Sequence, residues 1–167
     1  MYAETFPHIQ GMITRNMAFA DASLPQIIGP AFDGMKSLEI TGLSNTVFLN
    51  KTGYFEMRPL PDASQLAPAF DLCAEDLDDD EAVDLFLAQN AFGVPERTSR
   101  YDSGRGLLLR GDGTGNFVAV PASGSVIALY GEQRGVTAAD FNNDGRADLA
   151  VGQHGAATRL FINRKTD

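Results

Sequence analysis

"ADFNNDGRADLAVGQ", residues 139–153, crowds three Asp and two Asn into the nine positions from Asp140 to Asp148 and then turns apolar. Numbered from Asp140, side-chain oxygens fall at positions 1, 3, 5 and 9: Asp140, Asn142, Asp144 and Asp148. Gly145 holds position 6, and position 7 is Arg146, whose backbone carbonyl can point inward. Alternate residues of a tight loop face a common centre, so four side chains and one carbonyl can converge on one ion. Ca²⁺ suits such a set, because it takes about six to eight oxygens at about 2.3–2.6 Å in an adaptable shell. Zinc favours His or Cys, and this loop has neither. The competing reading is a surface turn made of residues that tolerate left-handed backbone.

The same frame occurs earlier. "AEDLDDDEAVDLFLAQ" (74–89) aligns without a gap on "AADFNNDGRADLAVGQ" (138–153), Asp76 matching Asp140 at a spacing of 64 positions. The first loop offers Asp76, Asp78, Asp80 and Asp84, with Ala82 as the carbonyl donor. It has more acid but carries Glu81 where the second loop has Gly145. If that position needs φ > 0, Glu81 costs about 1 kcal/mol relative to Gly. Charge and geometry therefore pull in opposite directions, and the tighter loop stays undecided. Two loops in register favour calcium over a bare turn, with two sites expected. Without an ion the clustered carboxylates repel one another, so the expected role of the metal is structural.

A second feature repeats in step with the loops. "VFLNKTGYFEM" (47–57) resembles "LLLRGDGTGNFVAV" (107–120), each an apolar run, a Gly-bearing turn and a run resuming at an aromatic, the signature of a β-hairpin. "TRLFINR" (158–164) reads as the opening strand of a third. A period near 63 holding about four short strands suits one blade of a propeller. Residues 33–40 only faintly echo 144–151, and "ASLPQII" carries Ser23 three positions before Gln26, a helix-capping spacing. The expected organisation is a degenerate blade portion with a short helical insertion over 1–45, a first repeat over 46–106, and a second repeat with the start of a third hairpin over 107–167. The fold class is all-β, with propeller-type blades of antiparallel four-stranded sheets. About 2.5 blades fit the length, an incomplete propeller, so a fragment or an assembly with further blades from a longer chain or another copy is expected.

Both loops lack the Glu at position 12 that an EF-hand needs, having Leu87 and Val151 there, and both run into β-like rather than helical sequence. A net charge of −9 and the absence of a basic run argue against nucleic acid. No stretch reaches the roughly 18 apolar residues of a membrane helix, and the first residues lack the pattern of a signal peptide. The lone Cys73 excludes an internal disulfide and reads as a small buried residue.

"GVTAADFNNDGRADLAVGQHGAATRLFINR" resembles an FG-GAP/VCBS repeat, the blade unit of integrin-α-type β-propellers, whose Asp-rich loops bind calcium. "FEMRPLPDASQLAPAFDL" and "NAFGVPERTSRYDSGRGLLLRGDGTGNF" resemble the bacterial relatives of cartilage acidic protein, in which such repeats often precede an ASPIC/UnbV domain. The resemblance covers roughly residues 46–163 and implies ligand roles for the two loops, with Glu81 as a departure. It also implies an extracellular or periplasmic setting.

The expected function is therefore a non-catalytic, calcium-stabilised scaffold that binds a protein or glycan. The alternative is part of a propeller-based polysaccharide lyase or hydrolase. No nucleophile–base pair is visible, and the chain has no Trp for sugar stacking. "RGD" at 110–112 lies in an expected turn that wants Gly and Asp for its own geometry. His8 and His154 read as surface or packing residues. The long connection 90–106 carries Arg97, Arg100, Tyr101, Asp102 and Arg105, expected to neutralise neighbouring acids, with a polar binding surface as the alternative.

Overall fold

Alternating apolar residues, interrupted by acidic or Gly-bearing turns, fold into antiparallel meanders. The computed structural model describes residues 16–125 and 127–164, so His8 and the first fifteen residues lie outside the described residues. The chain divides into two units, Met1–Gly42 and Leu43–Asp167.

In the first unit, α1 (Asn16–Ala20) and α2 (Leu24–Ile28) are followed by a 3₁₀ turn over Gly29–Gly34. The Ser23 N–H donates to Gln26 Oε1 at 2.8 Å, and Pro25 occupies the first turn of α2. The expected short helices are present. Residues 33–40 form no strand, so their faint likeness to 144–151 does not extend to structure. Gly29, Ala31 and Ser37 stand there in place of Asp140, Asn142 and Asp148, so the side chains that fold the loop before such a strand are missing.

The second unit holds nine strands among its described residues. The first sheet pairs β1 (Thr46–Lys51) with β2 (Tyr54–Pro59). The second is a four-stranded meander of β3 (Ala69–Glu75), β4 (Asp84–Gln89), β5 (Leu107–Gly111) and β6 (Phe117–Ala119). The third orders β7 (Glu132–Ala139), β8 (Asp148–His154) and β9 (Ala156–Phe161), after a single turn of helix, α3 (Ala122–Ser125). All pairings are antiparallel. The expected all-β, blade-like architecture is present as one complete four-stranded sheet flanked by two partial ones. The repeat boundary read at 106/107 falls inside the second sheet, because self-similarity fixes a period but not the strand at which one sheet yields to the next.

Side chains alternate across a strand, and β4 uses both faces. Leu87, Leu109 and Leu60 form one buried cluster with Val47, Leu85, Leu107, Phe117 and Ala119, between the first and second sheets. Phe86 points the other way, into Ile127, Leu129, Leu149 and Val151, with Cys73, Leu108, Val136, Ala138 and Phe161 packed around them. The three sheets are thus stacked face to face. Cys73 is half-buried rather than enclosed, and its burial pushes the thiol pKa up.

Candidate metal centre

Each acidic loop joins the first two strands of its sheet, 76–83 between β3 and β4 and 140–147 between β7 and β8. Both run into strands, as expected, which excludes an EF-hand. The two loops share one hydrogen-bond frame. Asp76 accepts the N–H groups of Asp80 (3.2 Å) and Glu81 (2.9 Å), as Asp140 accepts those of Asp144 (3.0 Å) and Gly145 (2.8 Å). Asp80 accepts the Ala82 N–H at 2.9 Å, and Asp144 that of Arg146 at 3.0 Å. The loop backbone follows from these bonds. Asp79 and Asn143 take φ 62° and 60°, while Glu81 and Gly145 take 67° and 86°. Glu81 is therefore in the left-handed region, which Gly adopts freely and Asn and Asp tolerate but a longer side chain such as Glu does not favour.

The position-9 carboxylates open the second strand of each sheet and are buried, Asp84 at 2% and Asp148 at 0% exposure. Buried charge needs hydrogen bonds, and each receives two from the backbone. Asp84 takes the N–H of Leu77 (3.2 Å) and of Gly111 (2.9 Å). Asp148 takes the N–H of Phe141 (2.9 Å) and of Asn163 (2.8 Å). Burial raises the Asp84 pKa, with Asp78 and Asp80 adding to the rise and the two N–H groups opposing it.

One ligand atom from each of Asp76, Asp78 and Asp84 lies within 4.8 Å of the others, and among the described residues no second trio of His, Cys, Asp or Glu converges in this way. The corresponding trio in the second loop is Asp140, Asn142 and Asp148, where an amide replaces one carboxylate. Asn142 donates to Asp144 at 2.8 Å and accepts the Asp144 N–H at 3.0 Å. Asp80 and Asp144 are engaged by the backbone and stand outside the trios. The expected carbonyl donors Ala82 and Arg146 occupy equivalent places, their N–H groups held by those two carboxylates. An all-oxygen set of this kind fits a hard cation, so the Asp76–Asp78–Asp84 cluster can bind a metal ion.

Three residues outside the sequence-derived set, Gly111, Asn163 and Arg110, bear on the loops, and Arg146 does so through its side chain as well. Gly111 and Asn163 supply the donors to position 9, arriving 27 and 15 residues downstream, so no local spacing signals them. Arg110 pairs with Asp78, and Arg146 reaches across to Asp79 of the other loop. The "RGD" stretch is accordingly built into the fold. Its Asp112 accepts from the backbone and side chains of Thr114 and Asn116, bonds that hold its carboxyl well below the usual range.

The long connection behaves differently from expectation. Among the described residues, Arg97, Arg100 and Arg105 make no ion pair; Arg100 lies 5.4 Å from the Phe92 ring centre and Arg105 5.1 Å from that of Tyr130. Exposed guanidinium groups gain from an aromatic face without surrendering water. The connection is instead anchored by Glu132, which accepts the Phe92 and Gly93 N–H groups and pairs with Arg134 and with His154 Nδ1 at 2.7 Å. Asn90, fully buried, ties it to Gly104 and Gly131.

A family model described as an FG-GAP-like repeat matches residues 76–151, from Asp76 of the first loop into the strand that follows the second. Over this stretch the chain is similar to an FG-GAP-like repeat. The chain is similar to cartilage acidic protein 1 of Xenopus tropicalis, 36% identical over 66 residues, covering 40% of this chain and 10% of that protein. The human protein is 35% identical over 65 residues (39% and 10%), and the mouse protein 36% over 61 residues (36% and 9%). The matched part thus spans about a tenth of the length of these relatives. No solved structure matches the chain. Among the described residues, no helix is long and apolar enough to cross a membrane.

Proposed function

We propose that the FG-GAP-like repeat binds two calcium ions and that the chain acts as a non-catalytic scaffold presenting its loops to a protein or glycan. An extracellular or periplasmic setting, where calcium is plentiful, suits that reading. The observation carrying it is the convergence of Asp76, Asp78 and Asp84 at the β3–β4 turn, with the same hydrogen-bond frame repeated at β7–β8. Asp76, Asp78 and Asp84 would hold one ion, and Asp140, Asn142 and Asp148 the other, with Asp80, Asp144 and the Ala82 and Arg146 carbonyls available to complete each shell. A bound ion supplies positive charge that cancels the repulsion among these groups. The buried Asp84 and Asp148, pinned by two N–H groups each, present a fixed oxygen at the start of an inner strand.

Further blades of the same type are the expected neighbours. Phe48 and Met57, directly paired across β1 and β2, are 60% and 58% exposed, an apolar face of the kind that the neighbouring sheets cover on one another.

Each ion bound only by the folded chain stabilises it by about 2.7 kcal/mol at a free concentration one hundred times Kd. Thermal unfolding in calcium and in chelator tests the reading. A melting temperature several degrees higher in calcium is expected, with the difference lost when Asp76 and Asp140 are both changed to Asn. A melting temperature indifferent to calcium overturns the metal site. The scaffold role predicts retention of a glycan or protein without turnover, and cleavage of a polysaccharide by the purified chain would contradict it.

A further inference from the structure

The two loops touch. Asn163, at the end of the stretch following β9, donates its N–H to Asp148 at 2.8 Å and its side-chain amide to the Leu77 carbonyl of the first loop at 2.7 Å. The same amide reaches the Ala147 carbonyl of its own loop at 3.3 Å. The Leu77 N–H in turn donates to Asp84. A continuous path therefore runs from one position-9 carboxylate to the other: Asp148, Asn163, the backbone of Leu77, Asp84. A second link lies beside it, where the Arg146 guanidinium of the second loop pairs with Asp79 of the first. Arg146 is largely buried in this contact, at 19% exposure.

The link runs in one direction by sequence. The residue equivalent to Asn163 in the second sheet is Gly111, which makes the same N–H bond to Asp84 but has no amide to extend. A Cβ there would sit 2.1 Å from the Val83 carbonyl oxygen, so no side chain fits. Asn163 is thus the position at which a loop's own donor also holds the neighbouring loop.

We propose that the two loops bind calcium as a coupled pair, with Asn163 as the positioning residue and the Arg146–Asp79 contact as a second link. The proposal rests on the calcium reading of both loops. An ion held by Asp148 fixes Asn163 and hence the backbone of Leu77, whose N–H orients Asp84 in the first loop. An ordered second loop also presents Arg146 to a first loop rich in acid. Coupling is reciprocal, so the first ion strengthens the second by the same factor. One hydrogen bond and one surface ion pair set its size at about three- to ten-fold in affinity.

Calorimetric calcium titration of the whole chain tests this. The second loop is silenced by Asp140→Asn with Asp144→Asn, and the first-loop affinity is measured. It should fall about three- to ten-fold relative to the intact chain. In a background of Asn163→Ala with Asp79→Asn, the same silencing should change it by less than about two-fold, while both loops still take up calcium. Asp79→Asn alone, which keeps a residue tolerant of φ 62°, should remove part of the coupling and serves if Asn163→Ala fails to fold. An unchanged first-loop affinity on silencing, or an equal loss in both backgrounds, overturns the coupling and leaves the calcium sites standing. No calcium heat from the intact chain overturns both.

Discussion

Exchanging the residues at position 6 of the two loops isolates the backbone's share of loop stability. Glu81 holds φ 67° and Gly145 φ 86°. A residue with a Cβ pays about 1–2 kcal/mol in that region, whereas Gly gives up about 0.5–1 kcal/mol of unfolded-state entropy. Glu81→Gly should therefore stabilise the chain by about 0.5–1 kcal/mol, or about 1–4 °C in melting temperature at this size. It also removes one negative charge from a loop whose neighbours are Asp78, Asp79 and Asp80, so the gain should be larger in chelator than in calcium. Gly145→Ala is the reciprocal test. Nothing lies within 4 Å of the Cβ it would add, so its penalty is conformational alone, about 1 kcal/mol. Urea unfolding of the wild type and both variants, each with calcium and with chelator, reads the two signs directly. A Glu81→Gly chain less stable than wild type, or a neutral Gly145→Ala, would refute the reasoning.

Gly111→Ala should cost about 1–3 kcal/mol in urea unfolding, because the new methyl meets the Val83 carbonyl at 2.1 Å beside the donor to Asp84. Phe86→Ala should cost about 3–5 kcal/mol by the same measurement, since Phe86 is fully buried between the second and third sheets. The Glu132 carboxyl is lowered from 4.5 to about 2, first by the Phe92 N–H, then by His154. Its ionised form thus favours folding: the contribution is whole above pH 4.5 and lost as pH falls through about 2. A urea midpoint followed over that window should fall less steeply in Glu132→Gln than in wild type.

The oxygen spacing of the loops and the hairpins between them were legible because they are local: residues within nine positions build the Asp140 loop, and Gly53 turns its own hairpin. Even the strain at Glu81 followed from comparing two copies of one frame. What escaped the sequence depends on distant strands. Asp84 and Asp148 looked like ligands equivalent to the rest, yet they are the buried pair, because β4 and β8 are inner strands whose neighbours supply Gly111 and Asn163 from afar. The arginines of the 90–106 connection are expected to seek acids, but Arg100 and Arg105 lie over the Phe92 and Tyr130 rings instead. Glu132 gave no signal, since the N–H groups it captures sit about 40 residues earlier.

Equilibrium dialysis of the purified chain against calcium, with the bound ions counted, tests the central claim most directly. About two ions per chain at millimolar free calcium, falling to about one when Asp76 and Asp78 are both changed to Asn, is the predicted result. A count near zero for the intact chain contradicts it.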